Sequence, residues 1–136
     1  MSKRTGSVRA ARPATRGVTF DTGVLVALER RKAGAHALLR ACRLSRAKIT
    51  IPAAVLVEWW RGSHAAVLEI GTLEPLTPEL ALQAGELLAQ TGRANAVDAT
   101  VVVSAARRGD LVVTGDPDDL RELAECVSGV DVEPLR

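Results

Sequence analysis

The sequence predicts a three-layer α/β/α fold with a central, mainly parallel sheet, and two observations lead to this prediction. Short apolar segments of strand-like composition alternate with longer segments of helical periodicity along most of the chain. This alternation is typical of βαβ units, in which helices cover both faces of a parallel sheet. The second observation is that 136 residues, 47% of them hydrophobic, suit one domain of ordinary size with a buried core.

The first half of the chain begins with a short predicted strand at residues 17–20. Asp21 and Thr22 can cap the helix that follows, and Gly34 is predicted to break that helix. Pro52 stops the next strand and suits the first turn of another helix. The remaining elements of this half are a helix at 35–44, a strand at 48–51, a helix at 53–61 and a short helix at 64–70.

The second half continues the alternation, starting with a weak strand at residues 73–76. Pro75 would confine this strand to an edge of the sheet, because proline has no backbone N–H to donate to a neighbouring strand. Thr77 is a suitable cap for a long helix that starts at Pro78 and ends near residue 90. The remaining elements are a helix at 98–108, a strand at 111–114, a helix at 118–126 and a strand at 129–132.

Basic residues concentrate in two segments. Residues 1–16 contain five basic and no acidic residues, so they are predicted to be a flexible basic tail before a single domain at 17–136. The rest of the chain has more acidic than basic residues, which argues against bulk nucleic-acid binding by charge alone. Residues 30–48 hold seven basic and no acidic residues. They form either a solvated helical face or a positive rim that steers a polyanion toward an acidic centre.

The composition also bears on location. No apolar segment approaches the ~20 residues that a membrane-spanning helix needs, so no membrane association is expected. Cys42 and Cys126 lack the spacing of a metal site, which favours two buried, reduced thiols. We therefore expect a cytoplasmic protein.

Four acidic residues, Asp21, Glu58, Asp98 and Asp116, lie within or at the ends of apolar segments. A carboxylate in such surroundings is costly unless something compensates its charge. Because the carboxyl ends of parallel strands meet at one edge of a sheet, we expect these side chains to share one crevice. Hard oxygen ligands of this kind suit Mg²⁺ or Mn²⁺, so the sequence suggests metal-dependent chemistry on a phosphate ester.

Helix capping is the structural alternative for three of these residues. Asp21, Asp98 and Asp116 all precede predicted helices, where an aspartate cap stabilises by ~1 kcal/mol without any catalytic role. Glu58 lies inside its helix, so capping does not explain it, but a buried ion pair with Arg61 would.

Four segments of the chain match a known family. The chain resembles the PIN-domain ribonucleases, and among these it most resembles the small VapC toxins of bacterial toxin–antitoxin pairs. The resemblance covers residues 17–136, with the four motifs in the same order. The matching segments are residues 18–25, 57–62, 95–99 and 113–120.

The resemblance implies a set of functional residues. Asp21, Glu58, Asp98 and Asp116 correspond to the family's catalytic acids, and the three aspartates among them would bind the metal. Thr114 corresponds to the family's Ser or Thr beside the last acid, and a further acid corresponds to Asp118 or Asp119. Many relatives carry Ser or Asn where this chain has Gly23, which puts one supporting hydrogen bond in doubt.

The resemblance also implies an activity. Relatives are Mg²⁺- or Mn²⁺-dependent endoribonucleases that usually form homodimers and are inhibited by a cognate antitoxin protein. In such a mechanism Glu58 would accept a hydrogen bond from the attacking water or act as general base, and Arg61 would pair with Glu58 or with the RNA backbone. The alternative is a catalytically inert α/β module that holds RNA or a protein partner in an acidic pocket.

Overall fold

The computed structural model describes residues 15–136, so the predicted tail lies almost wholly outside the described residues. Five strands form the sheet: β1 (Val18–Phe20), β2 (Ile49–Pro52), β3 (Thr72–Glu74), β4 (Leu111–Thr114) and β5 (Asp131–Pro134). Their order is β3-β2-β1-β4-β5, and every neighbouring pair is parallel. The predicted parallel sheet is thus confirmed.

Six α-helices connect or follow the described strands: α1 (Thr22–Glu29), α2 (Ala33–Ser45), α3 (Ala53–Trp59), α4 (Pro78–Thr91), α5 (Ala96–Arg108) and α6 (Pro117–Ala124). A 3₁₀ helix at Ala65–Glu69 precedes β3. Helix α5 packs against β1, β2 and β4, and α6 packs against α5, β4 and β5. Helix α1 packs against β1 and β4. Because the chain leaves β1 in one direction and β4 in the other, right-handed crossovers place α1 and α6 on opposite faces.

The centre of the sheet forms the core. Phe20, Ile51 and Val112 are fully buried on the three central strands. Side chains alternate between the faces of a strand, so Phe20 faces away from α5 whereas Thr19 faces Arg108 of that helix. This alternation also directs Asp21 and Thr19 toward the same face, which matters for the site described below.

The prediction that Gly34 breaks a helix is wrong. Helix α1 already ends at Glu29, where Arg31 adopts a positive φ of 56°. Gly34 lies in the first turn of α2, and a Cβ at this position would lie 1.5 Å from the carbonyl oxygen of Arg136. The glycine therefore allows close approach of the last described residue.

Other boundaries shift by a few residues. Strand β3 lies at an edge of the sheet, as Pro75 predicted, whereas β5 starts at Asp131 and not near 129. The predicted helix at 64–70 is a single 3₁₀ segment, and α3 ends at Trp59. Cys42 is buried as expected, but Cys126 is exposed, so the expectation of two buried thiols is wrong for the second.

The basic segment at 30–48 lies on the surface. All seven of its basic side chains are exposed, and none forms an ion pair with another residue in the range 15–136. In that same range, no helix has both the length and the apolar character needed to cross a bilayer.

Candidate active site at the carboxyl ends of the strands

The strand order creates a crevice between β1 and β4. From β1 the chain continues to β2 and β3 on one side of the sheet, and from β4 it continues to β5 on the other side. The direction of strand order therefore reverses between β1 and β4. Ligands bind at such reversals, beyond the carboxyl ends of the strands. Asp21 directly follows β1, and Asp116 follows β4 after Gly115. The topology thus brings together two of the predicted acids.

Asp21 has the capping role that the sequence suggested, and its carboxylate also lies at the carboxyl end of β1. It is the N-cap of α1, and its Oδ1 accepts a hydrogen bond of 3.1 Å from the backbone N–H of Val24. Its other oxygen accepts a hydrogen bond from the hydroxyl of Thr114. Burial raises the pKa of Asp21, and these hydrogen bonds oppose the rise. Capping therefore fixes the position of the carboxylate without removing it from the crevice.

Thr114 connects the two acids. Its fully buried hydroxyl donates to Asp21 and accepts a hydrogen bond of 2.8 Å from the backbone N–H of Asp116. Asp116 occupies the N-cap position of α6, yet its side chain makes no capping hydrogen bond. Its carboxylate is exposed, and desolvation together with the neighbouring Asp119 and Asp118 raises its pKa. The backbone N–H of Asp119 lowers this pKa slightly, so Asp116 is at most a weak cap of α6.

Asp98 is not a cap, contrary to the structural alternative. Helix α5 starts two residues earlier, and the cap is Asn95, whose side chain accepts the backbone N–H of Asp98 at 2.9 Å. Asp98 is therefore the third residue of the helix, with its carboxylate free to face the crevice. The sequence contained the signal, since Asn is a favoured cap and lies three residues before Asp98.

The carboxylates surround Asp98. Its pKa is raised from 3.8 to about 6, mainly by desolvation and further by the negative charges of Glu58, Asp21, Asp116 and Asp119. Each of these acids therefore lies close enough to Asp98 to act on its charge, although they come from separate segments of the chain.

Glu58 differs from its predicted environment. It is exposed, and its Oε1 accepts a hydrogen bond of 2.6 Å from the hydroxyl of Thr22 on α1. The predicted pairing with Arg61 is wrong, because the Arg61 guanidinium donates to the backbone carbonyls of Trp60 at 2.7 Å and Val57 at 3.4 Å. Helix α3 ends at Trp59, so Arg61 lies beyond it and cannot use helical spacing to reach Glu58.

The two candidate accessory acids, Asp118 and Asp119, are both exposed but face different groups. Asp119 acts electrostatically on both Asp98 and Asp116, whereas Asp118 acts on Asp116. A cavity of about 270 Å³ is lined by Asp98, Asp119 and Asn95 together with Arg93. The structure thus places Asp119 at the site together with Arg93, a residue that the sequence analysis did not single out.

Gly23 has a local explanation. A Cβ at this position would lie 3.0 Å from the backbone of Gly115, tighter than an ordinary contact. The turn after β4 therefore packs directly on the first turn of α1. A serine at position 23 would require the turn to shift by a few tenths of an ångström.

The acids that act on Asp98 are chemically suited to a hard divalent cation, because each of them offers carboxylate oxygens. In the part of the chain that the structure describes, however, no three His, Cys, Asp or Glu side chains form a ready-made metal cluster. The neighbouring acids are therefore close enough to Asp98 to repel its charge, but not close enough together to form such a cluster. A positive charge near Asp98 would relieve the repulsion.

Comparisons with known proteins agree with this fold. The family model "PIN domain" matches residues 18–125 of the chain. No curated protein matches the chain. Similar solved structures include VapBC2 from Rickettsia felis bound to a promoter DNA fragment, with 16% identity, 88% of this chain and 98% of that chain covered, and a TM-score of 0.66.

Two further structures are similar to the same extent. A toxin–antitoxin complex from Klebsiella pneumoniae has 17% identity, covers 84% of this chain and 95% of its own, and gives a TM-score of 0.67. DNA-bound VapBC from Salmonella typhimurium has 21% identity, covers 90% of this chain and 100% of its own, and gives a TM-score of 0.62. At these identities the likeness concerns the fold.

Proposed function

The chain belongs to the PIN domain family, and from this premise we propose that it is a metal-dependent endoribonuclease that hydrolyses RNA phosphodiester bonds. The observation that carries the proposal is the raised pKa of Asp98, which has four other carboxylates around it. Acids gathered in this way destabilise one another unless they bind a cation, and a phosphoryl-transfer site uses such a cation. Helix capping explains Asp21 in part and accounts at most weakly for Asp116, but it does not explain Asp98 or Glu58.

The proposed metal ligands are Asp21, Asp98 and Asp116, and Mg²⁺ or Mn²⁺ is the ion that their oxygens suit. When bound, such an ion lowers the pKa of a coordinated water and offsets charge that develops on the phosphoryl oxygens. The Thr114 hydroxyl donates a hydrogen bond to Asp21 and so fixes the orientation of this proposed metal ligand. Asp119, which faces both Asp98 and Asp116, is the accessory acid that we assign in preference to Asp118.

Glu58 is the proposed proton acceptor. It is exposed to solvent, so it is accessible to a water molecule and to the RNA. The hydrogen bond from Thr22 at 2.6 Å holds one carboxylate oxygen and leaves the other available. A carboxylate in this position can take a proton from the attacking water. Arg61 has no proposed role in this step, since its guanidinium binds backbone carbonyls.

We further propose that the protein is the toxin of a type II toxin–antitoxin pair, acting in the cytoplasm as a homodimer. Two features support an antitoxin partner. Similar structures are VapBC complexes, in which such a chain is bound to its partner. Helix α3, which carries Glu58, also lines an exposed apolar cavity of about 370 Å³ formed by Leu56, Val57, Trp60 and Leu68. Val57 is 78% and Trp60 39% exposed, so the cavity presents contiguous apolar surface of the kind that binds a protein partner.

The proposed division of the chain into a basic tail at 1–16 and a single nuclease domain at 17–136 is compatible with the family match, which begins at residue 18. The described part of the chain, residues 15–136, forms one sheet with one core. The seven exposed basic residues at 30–48 are proposed to attract the RNA electrostatically, which would make binding weaken as salt concentration rises.

Cleavage of a fluorophore–quencher RNA tests the proposal. Wild-type protein should cleave it in Mg²⁺ or Mn²⁺ and not in EDTA, and Asp21→Asn and Asp98→Asn should each lower the rate by at least ~10²-fold. Asp131→Asn is the matched control, because Asp131 starts β5 at the opposite end of the sheet and should leave the rate unchanged. Equal cleavage by wild type and both site variants would show a contaminating nuclease. Absence of cleavage with retained RNA binding would favour the inert binding module.

A further inference from the structure

Arg93 lies at the rim of the acidic cavity. It follows Gly92, the cap at the end of α4, and precedes Asn95, the cap at the start of α5. Among residues 15–136, it is the one basic side chain that lines the cavity of about 270 Å³ shared by Asp98 and Asp119. One cationic side chain therefore lines this cavity beside the two carboxylates of Asp98 and Asp119.

The guanidinium of Arg93 is held by two acids of α6. Its Nη2 donates to Asp119 Oδ1 at 3.0 Å and lies 2.9 Å from Glu122 Oε2. The side chains are 35% exposed for Arg93, 53% for Asp119 and 59% for Glu122. Exposed ion pairs of this kind contribute little net stability. The guanidinium can therefore exchange its carboxylate partners for another anion at small cost.

The carboxylates near Asp98 disfavour the binding of RNA, because both carry negative charge. Each phosphodiester carries a negative charge, which Asp21, Glu58, Asp98, Asp116 and Asp119 repel. A bound cation offsets part of this charge, but a flanking phosphate needs a positive partner of its own. Arginine is suited to this role because its planar fork can donate two parallel hydrogen bonds to phosphate oxygens.

The cavity around Arg93 has a size and a backbone environment that suit a phosphate. Pockets for drug-sized ligands usually measure roughly 300–1,000 Å³, and this cavity, at about 270 Å³, is smaller. It opens at the amino end of α5, a helix of 13 residues whose first N–H groups favour a nearby anion. It therefore has room for a phosphate and part of its sugar.

We propose that Arg93 binds a backbone phosphate of the RNA that flanks the scissile bond. In the free protein, Asp119 and Glu122 hold the guanidinium at the rim, and the phosphate displaces at least Glu122 when RNA binds. This inference rests on the proposed nuclease function, since it assigns part of the substrate to the same site. Arg93 is a substrate-binding residue and takes no part in proton transfer.

The structural alternative is that Arg93 only ties the segment between α4 and α5 to α6. The two roles predict opposite effects of a change at Glu122. If Arg93 is a tether, Glu122→Gln weakens the tether and acts like a mutation of Arg93. If Arg93 binds phosphate, Glu122→Gln frees the guanidinium, removes a negative charge near the RNA and leaves binding equal or tighter.

The experiment compares four variants of the full chain with wild type: Arg93→Gln, Arg93→Lys, Glu122→Gln and Arg121→Gln. Arg121→Gln is the matched control, because it removes one exposed positive charge from α6, the helix that carries Asp119 and Glu122, and Arg121 does not line the cavity around Asp98. KM and kcat are measured with the fluorophore–quencher RNA in Mn²⁺, and the melting temperature of each variant is recorded. Binding of a fluorescein-labelled RNA is also measured by anisotropy in the Asp21→Asn background.

Arg93→Gln is expected to raise KM and the dissociation constant about tenfold, the effect of losing one charged hydrogen bond, with kcat within about twofold. Arg93→Lys should recover part of the affinity, because it keeps the charge but loses the fork. Glu122→Gln should leave KM equal to wild type or lower it about twofold. This pattern, with Arg121→Gln close to wild type, would support the proposal.

Two results would overturn it. One is an equal KM for Arg93→Gln and Arg121→Gln; the other is a rise in KM for Glu122→Gln as large as that for Arg93→Gln. If Arg93→Gln does not fold, the Arg93→Lys and Glu122→Gln variants decide by the same criteria. Failure of wild type to cleave RNA would instead remove the proposed nuclease function, and the anisotropy measurements would still decide whether Arg93 binds RNA.

Discussion

Helix α5 carries polar residues at both ends, and the two ends differ in how their charges are compensated. Asp98, near its amino end, faces other carboxylates, which raise its pKa. Arg108, the last residue of the helix, is surrounded by partners that we call the Arg108 network: Asp110 at 2.9 Å, Thr19 at 2.9 Å, Ser104 at 3.0 Å and Glu74. One end gathers like charges, and the other pairs opposite charges.

The Arg108 network is also closed by bonds between its members. Ser104 donates to Glu74 at 2.5 Å, and Thr19 donates to Asp110 at 2.8 Å. Asp110 is 5% exposed and Arg108 and Glu74 about 20%, so the network is shielded from water. It connects α5 to β1, to the edge strand β3 and to the start of β4. The network therefore fixes the helix that presents Asp98.

The two ends of α5 show that acidic residues have two different roles in this fold. Buried carboxylates that meet an arginine and hydroxyls hold the fold together, because their charge and hydrogen bonds are satisfied. Carboxylates that lie near one another with too few positive partners cost stability, and a fold retains them where they bind something. Mutations at the two ends of α5 should therefore act in opposite directions on stability.

The largest effect on stability is expected from Arg108→Met. Removing the guanidinium leaves Asp110 and Glu74 as shielded charges without a partner, which should lower the free energy of unfolding by about 3 kcal/mol. Urea denaturation at pH 7 measures this decrease in the free energy of unfolding. Arg107→Met is the control, because Arg107 is exposed beside it and its loss should cost less than about 0.5 kcal/mol. Equal stability of the two variants would mean that the network does not hold α5 in place.

A smaller effect is expected from Thr114→Val. This change removes the hydroxyl that donates to Asp21 and accepts from Asp116, so stability should fall by about 1 kcal/mol. The lost hydrogen bond is one that lowers the pKa of Asp21, so the acidic limb of the pH–rate profile should move to higher pH.

Thr50→Val is the matched control for that change. The Thr50 hydroxyl is buried without a hydrogen-bond partner in the part of the chain that the structure describes. Replacing it with a methyl group should leave stability unchanged or slightly raise it. If Thr50→Val lost as much stability as Thr114→Val, the hydrogen bonds of Thr114 would not be the reason for the loss.

An effect of similar size but opposite sign is expected from Asp98→Asn in EDTA. The pKa of Asp98 is about 6 in the folded protein against an ordinary 3.8, so the folded state binds the proton more tightly than the unfolded chain. The stability that protonation contributes is full below 3.8 and is lost as pH rises through 6. Above pH 7, Asp98→Asn should therefore be more stable than wild type by about 1 kcal/mol, a value reduced for the partial exposure of Asp98.

The pH dependence makes this last comparison specific. The advantage of Asp98→Asn should shrink as pH falls from 7.5 to 4.5, because wild type then takes up the proton as it folds. Asp131→Asn, on an exposed carboxylate paired with Arg16, should show no such trend. A wild-type protein more stable than Asp98→Asn at pH 7.5 without metal would contradict the repulsion inferred at this site.

Local sequence patterns predicted the parts of the molecule that depend on local order. Asp21 and Asp116 could be placed because they follow short apolar strands, and parallel strands deliver their carboxyl ends to one edge. The cap at Thr77 and the edge position of β3 followed from the residue types at those positions. Family resemblance then supplied Thr114, whose hydroxyl was not predictable from spacing.

The parts that failed depend on contacts between distant segments. Gly34 was interpreted as a helix break, but it makes room for Arg136, about a hundred residues away in the sequence. Glu58 was expected to be buried among apolar neighbours, yet α3 turns that side of the helix to solvent. Arg93 and Asp119 are 26 residues apart and Arg108 and Glu74 are 34 residues apart, so no local periodicity predicts these two pairs.

Calorimetric titration of Mn²⁺ into the protein tests most directly whether the acids from separate segments share one cation. Wild type should bind Mn²⁺ at or below millimolar concentration, Asp98→Asn should bind it at least tenfold more weakly, and Asp131→Asn should match wild type. No binding by wild type at millimolar Mn²⁺, or equal binding by wild type and Asp98→Asn, would contradict a shared metal site at the carboxyl ends of β1 and β4.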